Sequence, residues 1–291
     1  MDISLLNSKK HTQVFMLALL MLLCACDTNL DYLVTGYKQK IIVEGFVESG
    51  KYPRVYLTLN VPLSKPIDST NILDQVIRYA KVTVSDGSNT EILTSRWDDS
   101  HFPPYVYTAT SLKGVEGRSY TLKVEYGGFT MNSSTSLPQS PEIVSIQSEM
   151  VDFTDTLRLL SVTLNIAEGS KTAYRIFTRK SSDSRYIETP FVYNNTLNDT
   201  GLKTYKILPS PTKTDASYAQ GKYFVVGETV DVKVCAIDSV SNDFFKELTL
   251  FNNTAENILL NEVKPLKSNI SSPGFGIWYG VGVKTLRYVV N

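Results

Sequence analysis

The sequence predicts an all-β chain: tandem immunoglobulin/fibronectin-III-like β-sandwich modules, with one helix in the second module. Three observations carry this. Short runs rich in β-branched and aromatic residues alternate with a period of two, Gly and Pro breakers separate them, and one strand signature, opened by a glycine, occurs at Gly117 and again at Gly227.

The N-terminal residues are of a different kind. Lys9 and Lys10 precede ten uninterrupted apolar residues, Val14 to Leu23, which run into Leu23-Cys24-Ala25-Cys26. A membrane span needs about 20 apolar residues, whereas a secretory signal needs only about 7–15 after a basic start. The segment therefore reads as a signal peptide, 1–25. A small residue must precede a lipid-modified cysteine, so Ala25 selects Cys26 over Cys24 as the attachment point. A protein carrying several acyl chains there is held stably on a bilayer. Residues 26–38 lack a sustained period and read as the tether between lipid and folded body.

The first sandwich is expected over 39–140. Its strands are Ile41 to Val47, Arg54 to Leu59, Lys81 to Val84, Tyr105 to Tyr107 and Tyr120 to Tyr126. In the last of these Tyr120, Leu122, Val124 and Tyr126 alternate with Thr121, Lys123 and Glu125, as a half-buried strand requires. Tyr120 also sits just after a turn and opens a strand, where such sandwiches place a corner tyrosine. Leu137-Pro138-Gln139-Ser140-Pro141 reads as a joint.

The second sandwich is expected over 141–291, with strands Glu142 to Ile146, Leu159 to Ile166, Ala173 to Thr178, Tyr205 to Leu208 and Thr229 to Ile237. Gly117-Arg-Ser-Tyr120-Thr-Leu122-Lys-Val124 is echoed by Gly227-Glu-Thr-Val230-Asp-Val232-Lys-Val234. The echo suggests related modules, although Gly-x-x-apolar-x-apolar also recurs by chance in β proteins. A helix is expected at about 241–260, capped by Ser241 or Asn242, with Phe244, Leu248, Phe251, Ala255 and Ile258 on one face. Its aromatic stripe reads as core. The glycines of Gly274-Phe275-Gly276 and Gly280-Val281-Gly282 fit neither Gly-x-Gly-x-x-Gly nor the Walker pattern, and read as a glycine-kinked final strand.

Charge and cysteine usage exclude several functions. Removing residues 1–25 takes Lys9, Lys10 and Asp2 from 29 basic and 29 acidic side chains, leaving 27 against 28. No basic face for nucleic acid is expected. With Cys24 removed and Cys26 lipidated, Cys235 alone remains, so no disulfide forms within a mature chain. Cys235 is out of phase with Val230, Val232 and Val234, shares a face with Asp231, Lys233 and Ile237, and reads as a structural thiol under the helix.

His101 is the one imidazole beyond the signal. Trp97-Asp98-Asp99-Ser100-His101 tempts a metal or acid/base reading, but zinc draws three or four ligands and no Gly-x-Ser-x-Gly motif accompanies it. A charged loop is the simpler reading. Catalytic residues, metal ligands and cofactors are accordingly expected to be none, and the candidate binding loop comprises Trp97, His101, Phe102 and Tyr105.

Pro265-Leu-Lys-Ser-Asn269-Ile270-Ser-Ser-Pro-Gly274-Phe275-Gly276-Ile277-Trp278, together with the lipobox, Ile42-Val43-Glu44-Gly45 and Gly114-x-x-Gly117-x-x-Tyr120-x-Leu122, resembles the domain-of-unknown-function 4249 family. The resemblance covers nearly the whole mature chain. It departs at Ser271-Ser272-Pro273, where a tighter glycine-rich turn is common, and at Trp278, where Phe is frequent. Membership implies a lipoprotein of Bacteroidota-type bacteria whose gene often neighbours a TonB-dependent outer-membrane receptor; it assigns no catalytic residue.

The expectation is an outer-membrane lipoprotein, facing the exterior, that serves a TonB-dependent nutrient importer as a non-enzymatic binding or docking accessory. Its expected partners are the membrane, through the lipid, and such a receptor. The alternatives are a surface hydrolase of glycans or peptides and a structural or adhesive envelope protein. The sequence names no ligand.

Overall fold

The structure is a computed structural model and describes residues 39–61, 73–99, 101–102, 104–151, 155–189, 200–208, 223–254 and 266–291. The signal, tether and Cys26 lie outside them. The chain divides into two units, Met1–Gln39 with Val61–Ser69, and Lys40–Asn60 with Thr70–Asn291. Of the first, only Gln39 and Val61 are described; everything below concerns the second.

That unit is all-β and sandwich-like, with sixteen strands and one long helix among the described residues: β1 (Ile41–Glu48), β2 (Arg54–Leu59), β3 (Lys81–Ser85), β4 (Thr90–Ile92), β5 (Thr94–Trp97), β6 (Tyr105–Thr108), β7 (Ser119–Tyr126), β8 (Phe129–Ser136), β9 (Glu142–Met150), β10 (Leu157–Ile166), β11 (Ala173–Lys180), β12 (Ile187–Glu188), β13 (Gly201–Ile207), β14 (Phe224–Val225), β15 (Thr229–Ile237), α1 (Ser239–Thr254) and β16 (Gly274–Val289). One sheet has eight strands in the order β12-β11-β15-β16-β1-β2-β6-β5. Two sheets have four strands each: β4-β3-β7-β8, and β13-β10-β14 with β9 beside β10.

Strand β16 organises the whole. Gly274 to Val281 pair in parallel with Ile41 to Glu48 of β1, and Gly282 to Val289 pair antiparallel with Ala236 to Thr229 of β15. Its first half thus belongs to a sandwich that the sequence reading draws from 39–140 alone. Because side chains alternate across a strand, Trp278 and Tyr288 share one face of the long sheet. Trp278 is in the core formed with β4-β3-β7-β8, alongside Leu57, Val84, Leu122 and Met131. Tyr288 packs on the core formed with the β10 sheet, alongside Leu164, Ile176, Val232 and Phe224. Both small sheets therefore cover the same face of the long one.

The joint crosses β16 where its partner changes. A Cβ on Gly280 would lie 2.3 Å from the Ser136 carbonyl oxygen, and one on Gly282 would lie 2.6 Å from that of Gln139. Glycine here lets two backbones touch. Thr135 Oγ1 accepts the Gly280 N–H at 3.0 Å, the Val281 carbonyl accepts the Ser49 N–H at 3.1 Å, and Ser140 Oγ donates to the Val283 carbonyl at 3.1 Å.

Local sequence signals play out as hydrogen bonds. Tyr120, fully buried, donates its hydroxyl to the Lys113 carbonyl at 3.2 Å and accepts the Val115 N–H at 2.7 Å, the corner arrangement expected of it. Gly117 and Gly227, which open the echoed strands, both have left-handed φ, 79° and 85°. Asn269 and Ile270, at the centre of the C-terminal motif, have distinct roles. The Asn269 carboxamide pairs with Trp278 as a neighbouring strand would, donating to its carbonyl at 2.7 Å and accepting its N–H at 2.9 Å, while Ile270 is buried in the first core. The Ser272–Pro273 peptide in the divergent turn is cis.

Helix α1 starts earlier than the sequence suggests, because Asp238, one residue before it, accepts the Ser241 N–H at 2.7 Å and serves as the cap. Phe244 is buried and Phe251 is exposed; Ala255 and Ile258 lie outside the described residues.

Glu91 on β4 clasps the loop after β6. Its carboxylate accepts the N–H groups of Thr110, Ser111 and Leu112 at 2.6, 3.2 and 2.7 Å and the hydroxyls of Thr110 and Ser111 at 2.8 Å each. Burial opposes its ionisation, but the amide donors of Thr110 and Leu112 outweigh that and hold its pKa at about 2, against an ordinary 4.5. A depressed folded pKa stabilises the fold above the unfolded pKa, and that stability is lost as pH falls from about 4.5 through about 2. Glu91→Gln is expected to cost about 2 kcal/mol at neutral pH. Urea titrations at several pH values should show the gap between variant and parent closing across that window.

Candidate functional site

The β5–β6 hairpin ends the eight-stranded sheet, and its turn carries the candidate binding residues. Trp97 and Tyr105 are direct cross-strand partners. Ser95 pairs with Tyr107 in the same register and Tyr107 is core, so alternation puts Trp97 and Tyr105 on the core-side face. Trp97 is 57% exposed and Phe102 55%, and the Trp97 indole N–H donates to Asp99. Tyr105 meets Tyr107 edge-on at 6.5 Å, with the Arg78 guanidinium 5.8 Å from its ring.

His101 goes to the other face. Its ring stacks on Tyr56 with centroids 3.7 Å apart, and its Nε2 lies 3.5 Å from a Glu44 carboxylate oxygen. Asp98 ties the turn to β2, accepting from Tyr56 Oη at 3.4 Å and pairing with the Arg54 guanidinium at 3.2 Å. Burial first, and Asp98 with it, raise the Tyr56 pKa to about 12. The structure thus separates His101 from the Trp97–Tyr105 pair. It also adds Glu44, Arg54 and Tyr56, which the sequence reading missed. Their signal was the alternation itself: Glu44 and Tyr56 are polar or amphipathic residues at outward positions of strands whose inward positions are apolar. No group of three or more His, Cys, Asp or Glu among the described residues is placed to hold a metal ion.

A cavity of about 200 Å³ opens on the same outer face near β16, walled by Phe46, Phe177, Tyr186, Tyr279 and Cys235, with Arg175, Lys233 and Glu48 as its charged members. The phases of three strands explain the company. Phe46, Lys233 with Cys235, and Tyr279 all point away from the two sandwich cores, and Phe245 of α1 meets Tyr279 edge-on at 5.1 Å. Arg175 is clamped by Glu188, its Nε and Nη2 each 2.6 Å from a carboxylate oxygen, and its guanidinium lies 4.0 Å from the Phe245 ring centre. Burial alone lowers the Arg175 pKa, but the Glu188 bonds outweigh it and raise it. Lys233 is 3.6 Å from Glu48 and 5.7 Å from the Tyr186 ring centre.

Cys235 is buried in the small cluster against which Phe245 of α1 packs, on the face its phase predicts. Burial pushes its thiol up to about 12, which disfavours the thiolate. Burial likewise raises the Tyr279 phenol. A second, wider groove of about 810 Å³ lies between the outward face of the β3-β7-β8 sheet and residues 268–271, lined by hydroxyls and amides of Thr83, Thr121, Asn132, Ser134, Asn269 and Ser271.

No curated protein matches the chain in sequence. Among solved structures, a chain of "Cytokine receptor complex - Crystal form 1A" aligns over 69% of this chain and 86% of its own at 9% identity, with a TM-score of 0.24. A likeness that faint carries no argument. The family described as Domain of unknown function (DUF4249) matches residues 27–287. That span includes nearly all of both sandwiches and of the shared strand, with the Asn269–Trp278 pairing, and the chain belongs to the DUF4249 family.

Proposed function

We propose that this chain is an outer-membrane lipoprotein, anchored through Cys26 and facing the exterior, that works as a non-enzymatic docking accessory of a TonB-dependent nutrient importer. The lipobox supports the anchor, and the resemblance of the motifs supports the importer. The observation that carries the docking role is the β5–β6 turn, where Trp97 and Phe102 are more than half exposed on a hairpin braced by the Arg54–Asp98 and Glu44–His101 pairs. Exposed aromatics held by such pairs are what interface hot spots use, because aromatic side chains have few torsions to lose on contact. Holding such a surface beside a receptor by a lipid raises the local concentration without further contacts.

The test is purification of the native lipid-anchored protein from its own host in mild detergent, with mass spectrometry of what accompanies it. A TonB-dependent receptor is expected in near-stoichiometric amount, lost with Cys26→Ser and reduced about tenfold or more with the double variant Trp97→Ala, Phe102→Ala. Recovery of the protein without such a receptor overturns the proposal.

A further inference from the structure

The wider groove, of about 810 Å³, crosses the outward face of the first small sheet from Thr90 on β4 to residues 268–271. Strand register sets what it offers. Ser85 pairs with Thr90 on one side and Thr121 on the other, and Thr121 pairs with Ser134, so four hydroxyl residues stand in one row across four strands, about 4.8 Å apart. In the next row Thr83 and Asn132 flank Lys123. Solvated surfaces ordinarily carry many Lys and Glu side chains, and charged residues make up 20% of this chain. Here ten of the thirteen lining residues are Ser, Thr or Asn and only Lys123 is charged. Glu125 already holds that lysine at 3.0 Å, and Lys81, the other cation on Glu125, stands outside the lining.

The neutral groups are largely unspent. The hydroxyls of Thr83, Thr121 and Ser134 and the Asn132 carboxamide make no hydrogen bond to the protein among the described residues, whereas the facing hydroxyls of Thr163 and Thr204 on the other small sheet bond each other at 2.9 Å. The wall beside β8 is fixed in place. Ser271 N–H donates to the Asn132 carbonyl at 2.9 Å, Asn132 N–H donates to Ser271 Oγ at 2.7 Å, and Ser133 Oγ donates to the Asn269 carbonyl at 2.8 Å. A pre-formed groove costs little ordering when it is filled. Hydroxyls and carboxamides both donate and accept, so they complement an uncharged molecule that does the same along its length. An anion would find no unpaired cation, and an apolar ligand would strand the hydroxyls away from water. The volume suits about two or three sugar rings.

We infer that this groove binds a neutral oligosaccharide, whose hydroxyls exchange hydrogen bonds with Thr83, Thr121, Ser134 and the Asn132 carboxamide. The inference is independent of the docking role, since the groove lies on a different sheet from the β5–β6 turn and needs no receptor.

Vesicles carrying the lipid-anchored full chain and a fluorescent lipid are the reagent, passed over immobilised neutral glucans, mannans, galactans and xylans and over acidic polyuronates and sulfated glycans, with empty vesicles subtracted. At least one neutral glycan should retain them and the acidic ones should not. The trisaccharide of the retained glycan, titrated calorimetrically, is expected to bind with a dissociation constant on the order of 0.1–1 mM. Thr121 and Ser134 are exposed, so the double variant Thr121→Val, Ser134→Ala keeps the fold, and it should weaken the trisaccharide about tenfold. No retention on any neutral glycan, equal or stronger retention on the acidic ones, or unchanged affinity in the double variant overturns the assignment.

Discussion

Gly280→Val is expected to prevent folding. A Cβ at this position would sit 2.3 Å from the Ser136 carbonyl oxygen and 2.6 Å from the Leu137 Cα, and both are backbone atoms that cannot rotate aside. Relieving the overlap means parting the joint from β16 and breaking the Gly280 N–H bond to Thr135 with it. The cost should exceed about 4 kcal/mol, a large share of the stability of an ordinary domain. Gly280→Ala meets the same atoms and should cost nearly as much. Gly50→Ala is the contrast: its φ is +72° but nothing lies within 4 Å of the added carbon, so only the left-handed conformation is penalised, by about 1 kcal/mol. Soluble yield and the urea midpoint distinguish them. An unchanged midpoint in Gly280→Ala would mean that the two backbones do not touch.

Trp278→Ala is the second large effect. The indole is fully buried, covers Gly45 so closely that a Cβ there would be 2.8 Å from its Cε3, and donates Nε1–H to the Tyr120 carbonyl at 3.0 Å. Removing it opens a void at the centre of the first core and takes the indole's hydrogen bond from that carbonyl, at a cost of about 4–5 kcal/mol. Trp278→Phe refills most of the space and should cost about 2 kcal/mol, chiefly for the lost hydrogen bond. Since β16 serves both sandwiches, the variants should melt both together. Urea unfolding followed by tyrosine fluorescence and by far-ultraviolet circular dichroism should give coincident, shifted curves. Separate transitions would show that the sandwiches are energetically independent.

Strands that carry strict alternation were legible from sequence. Tyr120-Thr-Leu122-Lys-Val124 and Val230-Asp-Val232-Lys-Val234 could be assigned because each inward position is apolar and each outward one polar, and the structure buries all six apolar residues. Strand β8 was missed for the opposite reason. In Phe-Thr-Met-Asn-Ser-Ser-Thr-Ser only Met131 and Thr135 are buried, and a run of hydroxyl residues has little apolar contrast to betray its period. The pairing of β1 with β16 was illegible in principle, because register between distant strands is set by mutual packing that neither strand encodes alone. The same gap hid the cavity. Arg175, Lys233 and Tyr279 come from three strands, and only the sheet order brings them together. His101 and Tyr56 are also far apart in the chain, so their stack could not be read from the loop sequence that drew attention to His101.

The parallel pairing of Ile41–Glu48 with Gly274–Val281 also bears on how the chain comes to be folded. A polypeptide that emerges amino end first presents β1 early and must hold it open until more than two hundred further residues have appeared. Contacts of such sequence separation are slow to form, since the loop entropy is lost before any packing repays it. Until then the first core lacks Trp278, the second lacks the strand beside β15, and both expose apolar edges prone to wrong partners. Completion is therefore a late, single event, and a holdase acting on the growing chain would meet both sandwiches as one unfinished client.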